Sequence, residues 1–259
     1  MSKPAVNFRV ISYLSGMERM FITECPRDAI QGLPYLIPKD RKVRYYSQLL
    51  KAGFPCIDIG SFVSPHAIPQ LADTEEVLHA ILPEKRGKFL VIIGNERGAR
   101  QAAKHPAVDI LGFPWSISET FLMKNIHSDL RQSRSLLPRL MDTSFAAGKT
   151  LRIYLSMAFG NPYGDEWNAG LLMEFIEDLH DLGIRQISLS DTVGFSQPDE
   201  IHSAIYNIRM AWPEIELSFH LHTHPGSWSE RLDAAWHAGC RDFDSVLGGK
   251  GGCPMAGYE

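Results

Sequence analysis

Eight short apolar segments recur along this chain of 259 residues, and the stretches between them have the spacing of amphipathic helices. Most of these segments are continuous apolar runs without strict alternation, which is typical of parallel strands buried on both faces. The predicted strands are 20–25, 56–62, 89–94, 108–113, 151–158, 186–190, 215–222 and 242–247. Eight strands that alternate with helices predict an α/β fold, a (β/α)8 or TIM barrel, with a doubly wound open sheet as the alternative.

The stretches between the predicted strands contain signals for helix starts and ends. A helix predicted over 39–53 follows a proline and ends at a glycine, the usual asymmetry of helix termini. Asp73 and Glu76 form a capping-box pattern that predicts a helix through residue 82. A second capping-box pattern, which begins at Ser116, predicts one long helix through about residue 141.

The predicted barrel accounts for most of the chain. We divide it into an N-terminal arm, residues 1–17, and a barrel domain over 18–259 that carries the site, because single α/β barrels often have this length. No helical pattern follows the eighth predicted strand, so we expect the complete protein to continue past Glu259 with an eighth helix. No Gly-x-Gly-x-x-Gly motif follows a strand, so the dinucleotide-binding fingerprint is absent.

Charge and composition exclude several classes of protein. Hydrophobic residues make up 44% of the chain and charged residues 22%, as in ordinary soluble globular proteins. The net charge of −4 argues against binding to nucleic acids or anionic membranes, and no apolar run approaches the ~20 residues of a membrane span. The four cysteines form no Cys-x-x-Cys pair, which favours reduced thiols and a cytoplasmic location.

Two histidines separated by one residue end the seventh predicted strand. Residues i and i+2 of a strand point to the same face, so the imidazoles of His220 and His222 can bind one metal ion. Asp28, which belongs to the Arg27-Asp28 pair after the first predicted strand, can supply a third ligand. The alternative is a pair of strand histidines that only form hydrogen bonds.

Other polar residues also fall at the carboxyl ends of predicted strands, where the active sites of such barrels lie. The second strand carries Asp58 and Ser61, the sixth ends in the Ser-Asp-Thr of residues 190–192, and the eighth runs into a glycine-rich segment with Cys253. This convergence indicates a catalytic site. The other three cysteines lie in apolar or helical segments and are predicted core residues: Cys25, Cys56 and Cys240.

Four segments resemble the 3-hydroxy-3-methylglutaryl-CoA lyases, within the wider group of metal-dependent barrel lyases and Claisen-type synthases. Residues 24–31, Glu-Cys-Pro-Arg-Asp-Ala-Ile-Gln, resemble the family's Gly-Pro-Arg-Asp-Gly-Leu-Gln. Residues 61–65 and 68–73 resemble its Ser-Phe-Val-Ser-Pro and the Pro-Gln-x-x-Asp that follows, and residues 188–194 resemble Ser-Leu-x-Asp-Thr-x-Gly. Residues 248–254, Gly-Gly-Lys-Gly-Gly-Cys-Pro, resemble the cysteine loop that is more specific to the lyases.

The resemblance implies that Asp28, His220 and His222 are ligands of a divalent cation. It also implies a further Asn ligand, which would follow the cysteine loop beyond Glu259. One carboxylate and two neutral imidazoles suit Mg²⁺ or Mn²⁺ and leave open positions for substrate oxygens and water, and Zn²⁺ accepts the same ligands. The implied partner is an acyl-CoA substrate, and the sequence leaves a homodimer open.

The implied reaction is a retro-Claisen cleavage of 3-hydroxy-3-methylglutaryl-CoA, or a close 3-hydroxyacyl-CoA, to acetyl-CoA and acetoacetate. Arg27 would stabilise the enolate, Cys253 would act as a general acid or base, and Asp191 would take the hydroxyl proton. The alternatives are a structural salt bridge for Arg27 and a helix cap for Asp191. The remaining predicted site residues are Asp58 in catalysis and Gln31, Ser61, Ser188 and Thr192 in substrate binding.

The chain departs from the family pattern at positions near the predicted site. Asp58 stands where glutamate is usual, Thr223 stands where an aspartate follows the second histidine, and Ala29 stands where glycine is usual. These changes leave the exact acyl group open. The alternative functions are a Claisen-type synthase that condenses acetyl-CoA with a 2-oxo acid and a non-catalytic barrel descendant.

Overall fold

The computed structural model describes residues 19–224 and 226–252, which form a closed barrel of eight parallel strands. The strands are β1 (Phe21–Glu24), β2 (Cys56–Ser61), β3 (Lys88–Ile92), β4 (Ile110–Ser116), β5 (Thr150–Ser156), β6 (Gln186–Asp191), β7 (Glu216–Leu221) and β8 (Asp242–Ser245). They follow chain order around the barrel, and β8 pairs with β1 to close the sheet. The predicted TIM barrel is confirmed, and the open-sheet alternative is wrong.

Helices connect the successive strands. They are α1 (Pro26–Gln31), α2 (Lys39–Ala52), α3 (Thr74–Ile81), α4 (Glu96–Lys104), α5 (Glu119–Ile126), α6 (Leu130–Ala146), α7 (Ala169–Asp181), α8 (Pro198–Ala211) and α9 (Trp228–His237). Residues 246–252, which are the described residues after β8, contain no helix, in agreement with the sequence pattern. The predicted arm, residues 1–17, lies outside the described residues. Within the described ranges, no helix has both the length and the apolar character needed to cross a membrane.

The helix start predicted at Ser116 is wrong, whereas α3 starts after Asp73 as predicted but without the predicted capping bond from the Asp73 side chain. Ser116 is the last residue of β4, and Ser118 caps α5 by accepting a hydrogen bond from a backbone N–H of its first turn. The chain then turns at His127, where φ is +53°, so that α5 and α6 replace the single predicted helix. Asp73 precedes α3 without capping it, because its carboxylate instead pairs with the buried Lys42 ammonium at 2.6 Å.

Apolar side chains fill the layer between the barrel and its helices. In β3 and β4, for example, Phe89, Val91, Phe113 and Trp115 are fully buried. Leu90 of β3 and Ile110 of β4 belong instead to a separate buried cluster that includes Tyr154 of β5. Both faces of these strands are therefore buried, which explains why the strands appear in the sequence as continuous apolar runs.

The strands from β5 to β8 carry buried or half-buried polar side chains in neighbouring positions. Tyr154 pairs in register with Ser188, Ser188 pairs with Ser218, and Ser218 pairs with Asp242. Residues in register on parallel neighbours point to the same side of a sheet. This polar part of the barrel leads along β7 to His220, two residues after Ser218, and so to the carboxyl ends of the strands.

Candidate active site and metal centre

The candidate metal ligands are brought together by α1 and by the end of β7. β1 ends at Glu24 and α1, a helix of six residues, begins at Pro26, which places Asp28 close to the carboxyl end of β1. His220 lies in β7 and His222 directly follows it. One carboxylate oxygen of Asp28 and one nitrogen of each histidine all lie within 4.8 Å of one another.

The spacing of these atoms fits a single cation. His220 Nε2 and His222 Nε2 are 2.9 Å apart, and His222 Nε2 lies 3.8 Å from Asp28 Oδ2. Two ligands at right angles, each about 2.1 Å from an ion, would lie about 3 Å apart. The donor set of one carboxylate and two imidazoles is also one that divalent cations bind. The residues present therefore fit a divalent cation.

Burial and neighbouring charges set the protonation of the three ligands. Burial beside His220 lowers the pKa of His222 to about 4, so this imidazole is neutral at pH 7. Burial opposes the charged form of His220, but the hydrogen bond and negative charge of Asp244 outweigh it and raise the pKa of His220. Burial likewise opposes ionisation of Asp28, but Arg27 and the two histidines lower its pKa and keep the carboxylate ionised.

The Arg27 guanidinium lies beside the ligands in a buried network. Its Nε and Nη2 donate to Asp58 Oδ2 at 2.8 and 2.5 Å. Its Nη1 donates to Asp28 Oδ1 at 3.2 Å and to Gln31 Oε1 at 2.9 Å. A guanidinium has five N–H donors, so one N–H on Nη2 is left without a partner among the described residues. Arg27 thus forms a buried salt bridge with Asp58, which the sequence analysis considered as its alternative role. The second N–H of its Nη2 remains available to another group.

Asp58 is fully buried and contacts Arg27, not the candidate metal ligands. Burial raises the pKa of Asp58 to about 6, although the positive charge of Arg27 opposes this change. Because a buried carboxylate needs a partner, the pair holds the guanidinium in one orientation. This arrangement favours a positioning role for Asp58 over contact with a substrate.

The glycine-rich segment after β8 folds back onto Asp28. Gly252 N donates to Asp28 Oδ2 at 3.1 Å, and Gln31 Nε2 donates to Asp28 Oδ1 at 2.7 Å and to Gly252 O at 3.1 Å. A Cβ at Gly251 would lie 2.7 Å from Asp28 Oδ2, so this close approach requires a glycine. Cys253, the predicted catalytic thiol, lies outside the described residues, and its role stays a prediction.

The Asp191 carboxylate stabilises the turn that precedes α8. Its Oδ1 accepts a hydrogen bond from Phe195 N at 3.0 Å. Its Oδ2 accepts hydrogen bonds from Ser196 N at 3.0 Å and from Ser196 Oγ at 2.5 Å. Both oxygens are therefore engaged with the turn before α8, whose N-cap is Gln197, so Asp191 holds this turn without capping the helix itself. These contacts favour a structural role of Asp191 over the predicted role as proton acceptor.

The four predicted substrate-binding residues differ in their surroundings. Gln31 is held between Asp28 and Gly252, as described above, while Ser61 Oγ accepts a hydrogen bond from a backbone N–H two residues later. Thr192 Oγ1 accepts one from Met157 N at 3.0 Å. Ser188 Oγ is buried without a hydrogen-bond partner among the described residues.

A cavity of about 620 Å³ opens beside the candidate metal ligands. Its lining includes Asp28, His220, His222, Thr192 and Lys250, whereas Gln31, Ser61 and Ser188 are not among the described residues that line it. The volume lies in the usual range of small-molecule sites. A bound molecule could thus reach the candidate cation directly.

Our sequence analysis missed two buried residues next to this site, Asp244 and Arg152. Asp244 Oδ2 lies 2.8 Å from His220 Nδ1, and Arg152 Nη1 lies 3.9 Å from Asp244 Oδ1. The signal that could have found Asp244 is the alternation of Asp242 and Asp244 in an otherwise apolar predicted strand, because both side chains then share a face.

The three cysteines predicted to be core residues are buried free thiols, as expected. Burial raises the pKa of Cys56 and of Cys240 to about 12 and raises the pKa of Cys25 as well. Since the thiolate is the reactive form, these three cysteines are inert at neutral pH.

The fold and the site together define a class of protein. A closed parallel barrel with a candidate divalent-cation site at the carboxyl ends of its strands is the architecture of a metal-dependent barrel enzyme. The HMGL-like family model matches residues 20–257, a range that includes Asp28, His220 and His222. The chain belongs to the HMGL-like family.

Individual relatives resemble this chain over most of its length. It is 32% identical over 231 residues to hydroxymethylglutaryl-CoA lyase YngG of Bacillus subtilis, an alignment that covers 89% of this chain and 77% of that protein. It is 31% identical over 247 residues to the cytoplasmic 3-hydroxy-3-methylglutaryl-CoA lyase of Rattus norvegicus, with 95% and 72% covered. A solved HMG-CoA lyase from Acinetobacter baumannii, in complex with coenzyme A and 3-methylmalate, has a TM-score of 0.85 and 32% identity, and the match covers 92% of this chain and 78% of that one. The resemblance inferred from the four motifs is confirmed.

Proposed function

We propose that this protein is an acyl-CoA lyase that cleaves 3-hydroxy-3-methylglutaryl-CoA, or a close 3-hydroxyacyl-CoA, to acetyl-CoA and acetoacetate. The observation that carries this proposal is the cluster of Asp28, His220 and His222 beside Arg27, in a chain of the HMGL-like family. The relatives described above are named as lyases of 3-hydroxy-3-methylglutaryl-CoA. The structure of one such lyase contains coenzyme A.

Asp28, His220 and His222 would hold the cation, which is Mg²⁺ or Mn²⁺ in this proposal, with Zn²⁺ as the alternative. When bound, a divalent cation supplies Lewis acidity and a fixed attachment point for substrate oxygens. The adjacent cavity leaves room for the acyl end of the substrate next to these residues. Thr192, which lines this cavity, and Gln31, which touches Asp28, are the predicted substrate-binding residues nearest to the ligands.

In the reaction, the tertiary hydroxyl loses its proton, the carbon–carbon bond to the thioester side breaks, and its electron pair forms the enolate of acetyl-CoA. The new carbonyl belongs to acetoacetate, and the enolate takes up a proton to give acetyl-CoA. Arg27 stabilises the negative charge of the enolate through the N–H that Asp58, Asp28 and Gln31 leave unused. In this scheme the Cys253 thiolate takes up the hydroxyl proton as the general base and then returns it, as the general acid, to the enolate carbon. Asp191 is left out of the proton transfer, because its oxygens hold the turn before α8.

The decisive experiment is to incubate the protein with Mg²⁺ or Mn²⁺ and 3-hydroxy-3-methylglutaryl-CoA and to measure acetoacetate. The expected result is equal release of acetoacetate and acetyl-CoA, abolished by chelation of the metal. In parallel, the protein is given acetyl-CoA and a panel of 2-oxo acids, and release of free CoA thiol is measured. Thiol release without acetoacetate formation would favour the synthase alternative, and a protein inactive in both assays would favour the non-catalytic descendant.

Whether the protein forms a homodimer stays open, and the cytoplasmic location stays a prediction. The names of the relatives themselves differ in location, since some of these lyases are called cytoplasmic and others mitochondrial.

Removal of a single candidate ligand should weaken metal binding. We expect Asp28→Ala to lose high-affinity Mn²⁺ binding. Asp28 is the only anionic residue in the candidate ligand cluster of the described residues, and the variant retains only the two imidazoles. Mn²⁺ titration followed by electron paramagnetic resonance measures this effect. Asp242→Asn, which removes an acid outside the ligand cluster, is the control, and unchanged Mn²⁺ affinity in Asp28→Ala would contradict the site.

Substitution or alkylation of the loop thiol should lower turnover without unfolding the protein. The described end of the loop contacts Asp28 through Gly252. The family resemblance implies that the thiol of Cys253 is the general acid or base of the reaction. We expect Cys253→Ser to lower kcat by about 10²-fold, as is typical when a general acid is lost. The buried Cys240→Ser provides a comparison, and full activity in Cys253→Ser would make the thiol a bystander.

A further inference from the structure

Close to the candidate cation site, β8 carries two acidic side chains that have no part in the proposed reaction. Asp242 and Asp244 lie two residues apart and therefore point to the same side of the strand. Arg152 of β5 lies near both, with Nη2 3.4 Å from Asp242 Oδ2 and Nη1 3.9 Å from Asp244 Oδ1. The two acids differ in burial, since the side chain of Asp242 is 32% exposed and that of Asp244 only 2%.

Asp244 differs from Asp242 in a second respect, because it contacts a candidate metal ligand. Its Oδ2 lies 2.8 Å from His220 Nδ1, while His220 Nε2 faces His222 and the other ligand. An ionised carboxylate can only accept hydrogen bonds, so the nitrogen that faces it must carry the proton. In a neutral imidazole the other nitrogen, Nε2, then has the free lone pair that a cation requires.

The His220 ring is also held from a second direction. The Tyr154 ring packs edge-on against it, with ring centroids 5.7 Å apart and an interplanar angle of 85°. The hydrogen bond to Asp244 fixes one nitrogen, and the tyrosine restricts rotation of the ring plane. Together these contacts direct Nε2 toward the position where the three candidate ligand atoms meet.

Arg152 acts on Asp244 without touching His220. A carboxylate buried as deeply as that of Asp244 is costly unless a positive charge compensates it, and Arg152 lies within 3.9 Å of one of its oxygens. Arg152 is itself buried, and its Nη1 also donates to Thr23 Oγ1 at 3.5 Å, which fixes its position on the barrel wall. The guanidinium thus places a positive charge beside the buried Asp244 side chain.

We propose that Asp244 is a positioning residue that fixes the tautomer and the orientation of His220 for cation binding, with Arg152 as the charge that supports it. This inference rests on the proposed function, in which His220 is a metal ligand. The sequence alternation of Asp242 and Asp244 makes the two acids a matched pair, because each lies near Arg152 and only Asp244 reaches the histidine.

The first test needs neither metal nor substrate. Nitrogen-15 NMR of the metal-free protein, labelled at histidine, distinguishes the two imidazole tautomers, and the His220 signals are identified by their loss in His220→Gln. The spectra are recorded as the pH is raised until the His220 ring is neutral. We expect this neutral ring to be the Nδ1–H tautomer in the wild type and a mixture of tautomers in Asp244→Ala. A neutral wild-type His220 that carries its single proton on Nε2 would overturn the proposal, whatever the stability of the variants.

The second test compares Mn²⁺ affinity among three variants by electron paramagnetic resonance. We expect Asp244→Ala to bind Mn²⁺ roughly 10- to 100-fold more weakly than wild type, the usual effect of losing the outer partner of a metal-binding histidine. Asp244→Asn retains an oxygen that accepts from Nδ1–H, so its affinity should lie between those of Asp244→Ala and the wild type. Asp242→Asn should bind Mn²⁺ as the wild type does.

Two results would contradict the positioning role. One is unchanged Mn²⁺ affinity in folded Asp244→Ala, and the other is an equal loss in Asp242→Asn, which would indicate a general effect of charge near Arg152. These results are separate from a failure of the proposed function. A wild-type protein that binds Mn²⁺ with the expected tautomer but forms no acetoacetate would contradict the lyase activity and leave the role of Asp244 intact.

Discussion

Arg27→Met should lower kcat by roughly 10²- to 10³-fold, the usual cost of removing a donor that stabilises a developing oxyanion. The guanidinium lies next to Asp28 and is held in one orientation by its two bonds to Asp58. Because the enolate charge develops only as the carbon–carbon bond breaks, we expect a much smaller change in KM than in kcat. Steady-state cleavage of 3-hydroxy-3-methylglutaryl-CoA measures both parameters.

Arg27→Lys is the matched variant, because it keeps a positive charge near Asp58 and removes the fork of donors. We expect it to remain folded by circular dichroism, to bind Mn²⁺ and still to lose most of kcat. A lysine variant with near wild-type kcat would show that only the charge matters and that the spare Nη2 donor has no role. A methionine variant with wild-type kcat would show that Arg27 has only a structural role, in its salt bridge with Asp58.

Asp58→Asn should lower the free energy of unfolding by about 3 kcal/mol, because it leaves a buried guanidinium with fewer compensating charges. The side chain of Asp58 is fully buried and that of Arg27 is 9% exposed, so solvent cannot replace the lost partner. Asp28 remains near Arg27 and offsets part of the loss. Urea unfolding measures the change. The variant should also lower kcat, since Arg27 loses the contact that orients it.

The exposed Lys39–Glu76 pair provides the control for this stability prediction. Its side chains are 50% and 66% exposed, so Glu76→Gln should leave the unfolding midpoint unchanged within error. The double variant Arg27→Met/Asp58→Leu replaces the buried pair with apolar groups and should be more stable than Asp58→Asn alone. If Asp58→Asn unfolds at the wild-type urea concentration, the buried pair contributes little to the fold.

The barrel itself could be predicted from local patterns in the sequence. The run 89–94, for example, has no polar side chain, because both faces of that strand are covered, and this pattern can be seen in the sequence without knowing which residues the strand contacts. The His220–His222 pair was predictable for a similar reason, since the strand repeat of two residues puts both rings on one face. Asp28 followed from the position of the Arg-Asp pair after the first strand.

Predictions that depend on which partner a polar group takes in the folded chain were less successful. The pattern that begins at Ser116 predicts a helix start, but the ladder with β5 extends β4 through that residue. Asp73 stands at the capping position that the sequence pattern predicts, but its carboxylate pairs with the Lys42 ammonium and not with a backbone N–H of α3. Asp191 was predicted as a base, with a helix cap as the alternative, and its oxygens instead accept hydrogen bonds from the turn at Phe195 and Ser196. The cap of α8 is Gln197.

The sequence by itself determined the eight-stranded barrel, its polar end and the residue types that can hold a cation, because these follow from repeats of two or of 3.6 residues along the chain. The tertiary structure alone decided which charges face one another. Arg152 reaches Asp244 from β5, and Asp244 reaches His220 across the pairing of β7 with β8. Such contacts join residues far apart in the chain, and their strength depends on burial, which only the closed barrel creates.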